Sequence, residues 1–107
     1  MNESMNATAS LQGKTVIVFG AGCRGDGWNN GKAAALAYAR AGASVCCVDL
    51  DSDLADGTAD AIKQAGGTAL AVRADVTDAT SVAQVVAETL SRLGRIDVLH
   101  NNVGVTH

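Results

Sequence analysis

The chain has 107 residues, of which 48% are apolar, enough for one modest core and too few for two domains. Its formal charge of −3 is made of interspersed charges of both signs with no basic stripe, which argues against nucleic acid bound through its phosphates. No apolar run approaches the ~20 residues needed to span a bilayer, so no membrane partner is expected.

Residues 1–10, MNESMNATAS, are polar, with neither a basic start nor an apolar centre, and are expected to form a disordered tail rather than a secretory signal. After Lys14 the β-branched run TVIVF ends at a glycine, as a short buried strand does. A glycine-rich stretch, GAGCRGDGWNNG, leads into KAAALAYARA, a strong helix former stopped by Gly42. The run SVCCVD (44–49) is a second short apolar strand that ends in an acid. From Ser52 to Gln64 the pattern is helical, with Ser52 as a cap, Leu54, Ala55, Ala61 and Ile62 on one face, and Gly66-Gly67 closing it. TALAVRAD (68–75) is a third strand. Asp78 or Thr80 caps a further helix with Val82, Val85, Val86, Leu90 and Leu93 at helical spacing, stopped by Gly94. IDVLHNNVG supplies a fourth strand and a turn.

Strand and helix alternate with short connections, which require right-handed crossovers and so an α/β fold, a parallel sheet with helices on both faces. The expected strand order is 3-2-1-4, and a ligand is expected at the carboxyl ends of the strands, where the order reverses. The turns carry the chemistry. Gly20, Gly22 and Gly25 fit G-x-G-x-x-G between a strand and an alanine-rich helix, the spacing of a dinucleotide-binding turn. A helix begun at Asp26 would hold two asparagines and further glycines in its first turns, each glycine costing about 1 kcal/mol relative to alanine. The helix is therefore placed at Asn30–Gly31, with Gly31 as the close helix–strand packing position and Gly25 and Gly27 in a loop. Gly20 and Gly22 form the turn, and the helix start beyond them offers unpaired N–H groups to a pyrophosphate.

Asp49 ends strand 2, where a carboxylate can accept both ribose hydroxyls of an adenosine and repel a 2′-phosphate, which favours NAD over NADP. Leu50 follows it at the same mouth. Arg24 and Lys32 are counter-cues that can attract an additional phosphate, steer the pyrophosphate or remain solvated. Asp75 and Val76 offer a carboxylate and an apolar wall for a base, although an aspartate there also suits a turn. Asn101, Val103 and Gly104 follow strand 4, where asparagine braces neighbouring strand ends and glycine permits close backbone approach. Cys23 sits in the phosphate loop, where a helix terminus can lower a thiol pKa, but a small residue there also simply fits. Trp28 pins the loop by burial or covers a ligand. His100 is read as a packed or hydrogen-bonded residue rather than a catalyst. The three cysteines Cys23, Cys46 and Cys47 have no metal-ligand spacing and fit free thiols of a reducing, cytoplasmic compartment.

Leu11-Gln12-Gly13-Lys14, the glycine turn, Asp49, Ala74-Asp75-Val76-Thr77 and Asn101-Asn102-Val103-Gly104 occur in an order that resembles the short-chain dehydrogenase/reductase family, from about Leu11 to Gly104. The resemblance implies that residues 11–107 are part of a Rossmann-type dinucleotide-binding domain. Phe19 stands where the family has a threonine, and the longer glycine loop looks like that of a bacterial subgroup. The family's activity is hydride transfer between NAD(H) and a small alcohol or carbonyl. Its serine and Tyr-x-x-x-Lys catalytic residues come from a second half, whereas this chain ends at His107 and its only tyrosine, Tyr38, is followed four residues on by Gly42. The expectation is an N-terminal cofactor-binding fragment with no catalytic residue, inactive alone, whose fourth strand is an open edge available for association. A noncatalytic dinucleotide-binding module is the alternative, and a methyltransferase of related fold a distant third.

Overall fold

The computed structural model describes residues 10–22 and 30–101. Strands β1 (Thr15–Phe19), β2 (Ser44–Asp49), β3 (Thr68–Arg73) and β4 (Val98–Asn101) alternate with helices α1 (Asn30–Arg40), α2 (Ser52–Gln64) and α3 (Ala79–Leu93). The sheet order is β3-β2-β1-β4 and every pair is parallel, as the short crossovers require. The expected tail lies outside the described residues apart from Ser10.

Side chains of adjacent strand residues point to opposite faces, and both faces of this sheet are covered. On one face Val16, Val18, Val45, Cys47 and Ala69 pack with Ala35 of α1 and with Ala59 and Ile62 of α2. On the other, Ile17, Phe19, Cys46 and Val48 pack with Val85 of α3, and Leu70, Val72, Val82 and Ile96 lie against them. All five residues of β1 are buried, which explains why TVIVF has no polar alternation. Each valine or isoleucine fully buried this way stabilises the fold by about 1.5–3 kcal/mol.

The ends of the helices follow from local chemistry. Helix α1 begins at Asn30, as the cost of early glycines predicts, and Gly42 after it takes φ +100°, a left-handed conformation that suits glycine. Asp51, not Ser52, caps α2: its carboxylate accepts from the amides of Asp53 and Leu54, and Ser52 is the first helical residue. The buried stripe of α2 is Ala55, Thr58, Ala59 and Ile62, so Leu54 and Ala61 lie at its margins. Apolar periodicity sets the stripe slightly to one side because Thr58, a polar residue, belongs to the buried face. Asp78 caps α3, whose buried residues are Val85 and Thr89, while Leu90 is 46% exposed instead of belonging to the core stripe. Gly94 ends α3 in the left-handed conformation.

The edge strand β4 is fastened to β1 at its start. The Asp97 carboxylate accepts from the Thr15 amide at 2.8 Å, and the Asp97 amide donates to the Thr15 carbonyl at 2.8 Å. Arg95 donates to both oxygens of the same carboxylate, at 2.8 and 2.7 Å. These donors, Arg95 foremost and then the Thr15 amide, hold the Asp97 carboxyl below the usual carboxylate range. Further along, the Tyr38 hydroxyl of α1 meets His100 Nδ1 of β4 at 2.7 Å, with the two rings edge to face. Leu99, on the α3 side of β4, is 58% exposed.

Candidate functional site

The parallel register brings the carboxyl ends of all four strands to one rim of the sheet. Phe19 lies beside both Val48 and Asn101, and Asp49 lies beside Arg73. Beyond Phe19 the chain bends at Gly20, whose φ of +76° is the left-handed conformation expected of a turn glycine. The Gly20 and Ala21 amides both donate to the Val48 carbonyl, at 2.8 and 3.0 Å, which folds the turn back over the end of β2. Ala74 is tied to the same rim through its amide, which donates to the Asp49 carbonyl at 3.1 Å.

Gly22 is glycine for a packing reason. A Cβ built there would overlap the Leu54 side chain and would stand 3.1 Å from the Leu54 carbonyl carbon and 3.0 Å from Asp49 Oδ2. The start of α2 thus presses directly on the turn. Asp49, at the end of β2, receives the Gly22 amide on Oδ2 and the Asp51 amide on Oδ1, each at 3.0 Å. A carboxylate has about four acceptor positions. Two are filled in this way, so the group is oriented by backbone from both sides and keeps capacity for two hydroxyl donors. Beneath the turn, the buried Thr58 hydroxyl of α2 donates to the Ala21 carbonyl at 2.9 Å.

At the end of β3 the arrangement is more local. Asp75 Oδ1 accepts from the Thr77 hydroxyl at 2.6 Å and from the Thr77 amide at 2.9 Å, and the Asp75 amide donates to Ser81 Oγ at 3.0 Å. The Thr77 hydroxyl, followed by its amide, favours the ionised form and lowers the Asp75 pKa. Val76 is half-buried and packs against the α3-side core, so its side chain is shared between core and rim. Leu50 is 55% exposed beside Asp49, and Asn101 is exposed at the end of β4.

Of the residues expected at the site, Gly20, Gly22 and Asp49 are joined in one hydrogen-bonded unit, and Gly31 is buried in the first turn of α1. Asn101 ends β4 beside Phe19, and Leu50, Asp75 and Val76 follow the ends of β2 and β3, on the same carboxyl side of the sheet. Cys23, Arg24, Val103 and Gly104 lie outside the described residues, and of Asn30 only the backbone is described. Leu54 and Thr58 support the turn and had no sequence signal beyond the helical pattern of α2. His100 is the hydrogen-bonded residue it was read to be.

The two strand cysteines are free thiols buried on opposite faces of β2. Burial pushes the Cys46 thiol up, against the smaller effect of a hydrogen bond with Thr89, and pushes Cys47 up to about 12. Neither is a nucleophile at neutral pH. Among the described residues no cluster of three or more His, Cys, Asp or Glu is placed to hold a metal, and no helix is long and apolar enough to cross a membrane.

A doubly covered parallel sheet with a glycine turn and an oriented carboxylate at adjoining strand ends defines the nucleotide-binding class of α/β proteins. The short chain dehydrogenase family profile matches residues 14–107, and the chain belongs to that family. It is 39% identical over 94 residues to the 7alpha-hydroxysteroid dehydrogenase of Escherichia coli K12, covering 88% of this chain and 35% of that one. It is 42% identical over 95 residues to the sorbitol dehydrogenase of Cereibacter sphaeroides, covering 89% of this chain and 34% of that one. A solved 7 alpha-hydroxysteroid dehydrogenase complexed with NADH and 7-oxo glycochenodeoxycholic acid superposes with a TM-score of 0.79 at 37% identity, over 92% of this chain and 36% of that one. The chain therefore spans about a third of the length of the curated relatives it matches.

Proposed function

We propose that this chain holds the adenosine half of NAD(H) for an oxidoreductase that moves a hydride between the nicotinamide and a small alcohol or carbonyl. The observation that carries the reading is the Asp49 carboxylate, oriented by the Gly22 and Asp51 amides, whose remaining acceptor capacity suits two hydroxyl donors. A ribose 2′,3′-diol is the matching donor pair, and a 2′-phosphate would meet a negative charge in its place. Gly20 and Gly22 fit the same cofactor: they hold the chain close to the sheet rim, where a Cβ at Gly22 would fill the space now occupied by Leu54 and the carboxylate.

In this reading the pyrophosphate lies along Gly20, Gly22, Cys23 and Arg24 toward the start of α1 at Asn30–Gly31, whose partial positive charge favours it. Asp49 and Leu50 take the ribose. Asp75 offers its second carboxylate oxygen to the adenine amino group, with Val76 as an apolar wall. Asn101, Val103 and Gly104 border the far ribose. When bound, the dinucleotide would accept the hydride from an alcohol or donate it to a carbonyl, and the residues assigned to this chain would bind and orient it. By the resemblance, the serine, tyrosine and lysine that act on substrate belong to the family's second half, and residues 1–107 by themselves are read as inactive. NADH-bound and steroid- or sorbitol-named relatives support small-molecule chemistry of this class. Exposed Leu99 on edge strand β4 supports association through that edge, and the buried free thiols support a reducing, cytoplasmic setting.

Titrating the chain with NADH and NADPH by intrinsic fluorescence or calorimetry tests the reading. NADH is expected to bind at least about tenfold more tightly, the loss a charge-bearing hydrogen bond typically represents. Equal affinities would remove Asp49 from its assigned role, and no binding of either would overturn the proposal.

A further inference from the structure

Two helices of this protein each bury a threonine, and the two hydroxyls are used differently. Thr89 of α3 donates to the Val85 carbonyl at 2.8 Å, four residues back on its own helix, the usual local solution for a threonine inside a helix. Thr58 of α2, 1% exposed, has the same option and does not take it. Its hydroxyl reaches out of the helix to the Ala21 carbonyl, at 2.9 Å and 37 positions away in sequence.

The peptide group it reaches is the one that orients Asp49. The Ala21 carbonyl and the Gly22 N–H belong to a single planar unit and point in opposite directions. Thr58 holds the carbonyl end, and Asp49 Oδ2 receives the N–H end at 3.0 Å. Leu54, one helical turn before Thr58, closes the space beside Gly22, and the Ala21 amide is fixed separately to Val48. Without the hydroxyl, the carbonyl end of this peptide plane would lose its donor at a buried residue, while the N–H end would still face the carboxylate.

We infer that Thr58 is a positioning residue for the glycine turn, acting through the Ala21–Gly22 peptide to set the Asp49 carboxylate for its ligand. The part of this inference that concerns ligand affinity rests on the dinucleotide reading above. Helix α2 then does more than connect β2 to β3: it holds the binding turn from behind.

The test compares Thr58→Val, which removes the hydroxyl at nearly constant shape, with Thr58→Ser, which keeps the hydroxyl and removes the methyl group. In the full chain, Thr58→Val is expected to bind NADH about fivefold more weakly than the unsubstituted protein, and Thr58→Ser to remain within about twofold of it. The Gly22 amide resonance of the unliganded protein is expected to move in Thr58→Val and to return in Thr58→Ser. A side chain that merely filled space would give the opposite order, with serine the weaker binder. That order, or unchanged binding in Thr58→Val, would overturn the inference while leaving the dinucleotide reading intact. If the unsubstituted chain binds no NADH, the dinucleotide reading falls, and the Gly22 resonance alone decides Thr58: no movement in Thr58→Val overturns it. Should Thr58→Val not fold, Thr58→Ala against Thr58→Ser gives the same ordering by hydroxyl.

Discussion

Asp49 ends β2 and Asp75 lies two residues beyond the end of the neighbouring β3, yet their carboxylates are bound to the structure in different ways. Asp49 links two segments, receiving Gly22 from the turn after β1 and Asp51 from the start of α2. Asp75 receives only Thr77, two residues away, on one oxygen. The first is oriented by tertiary structure, so moving any of three elements moves it. The second is oriented by its own turn and would keep its geometry if the rest of the rim shifted. A carboxylate fixed from two sides can discriminate between ligands that differ by one phosphate. One fixed locally can offer a contact but is free to follow the turn that carries it.

The comparison breaks most sharply at Gly22. Gly22→Ala forces a Cβ into Leu54 and against Asp49, and should destabilise the fold by about 1–3 kcal/mol in urea titration. NADH binding should weaken by well over tenfold, because the turn and the carboxylate move together. Asp49→Ala comes next: it leaves the glycine turn without its carboxylate partner, and is expected to lower NADH affinity about tenfold and to abolish the proposed preference over NADPH. Retention of the preference, read by competitive calorimetry, would place the discrimination elsewhere. Asp75→Ala should cost only about twofold to threefold in NADH affinity with no change in NAD/NADP preference. An effect as large as that of Asp49→Ala would show that local and tertiary orientation are equivalent here.

Acid titration sharpens the contrast with a third aspartate. The Asp75 and Asp97 carboxyls are both lowered in the folded protein. Each therefore contributes stability that is present above the ordinary carboxylate value of 3.8 and is lost as the pH falls from there through the lowered folded value. Asp97 ties β4 to β1, so Asp97→Asn should flatten the acid limb of the stability curve more than Asp75→Asn, measured by denaturant titration between pH 5 and pH 2. The smallest expected signal is in the thiols. Cys47, pushed up to about 12 by burial, should resist alkylation at pH 8 in the folded protein and react at the rate of global unfolding, followed by peptide mass spectrometry.

The sheet and its order were legible because their causes are local and periodic. TVIVF and SVCCVD lack polar alternation since both faces of their strands are covered, and Gly42 and Gly94 mark helix ends by a backbone conformation few other residues adopt. The helix start at Asn30 followed from the cost of early glycines. Gly20, Gly22 and Asp49 were legible as site candidates by residue type and position. What joins them was not. Thr58 and Leu54 act across more than 30 positions, and nothing in the spacing of a helix tells which of its residues faces a distant turn. The cap of α2 was misplaced by one residue because Asp51 and Ser52 are both competent caps, and only the backbone decides between them.

The latch between Asp97 and Thr15 also bears on how the chain is made. Strand β1 lies between β2 and β4, but its second partner is separated from it by most of the sequence. At synthesis rates of roughly 5–20 residues per second, β1 leaves the ribosome several seconds before the strand that completes it. During that interval it has one paired side and one row of unsatisfied amides and carbonyls, in a segment made entirely of apolar and β-branched residues. Among the described strands, β1 is thus the one exposed to wrong pairing during synthesis, and arrival of Arg95 to Asn101 covers its second side.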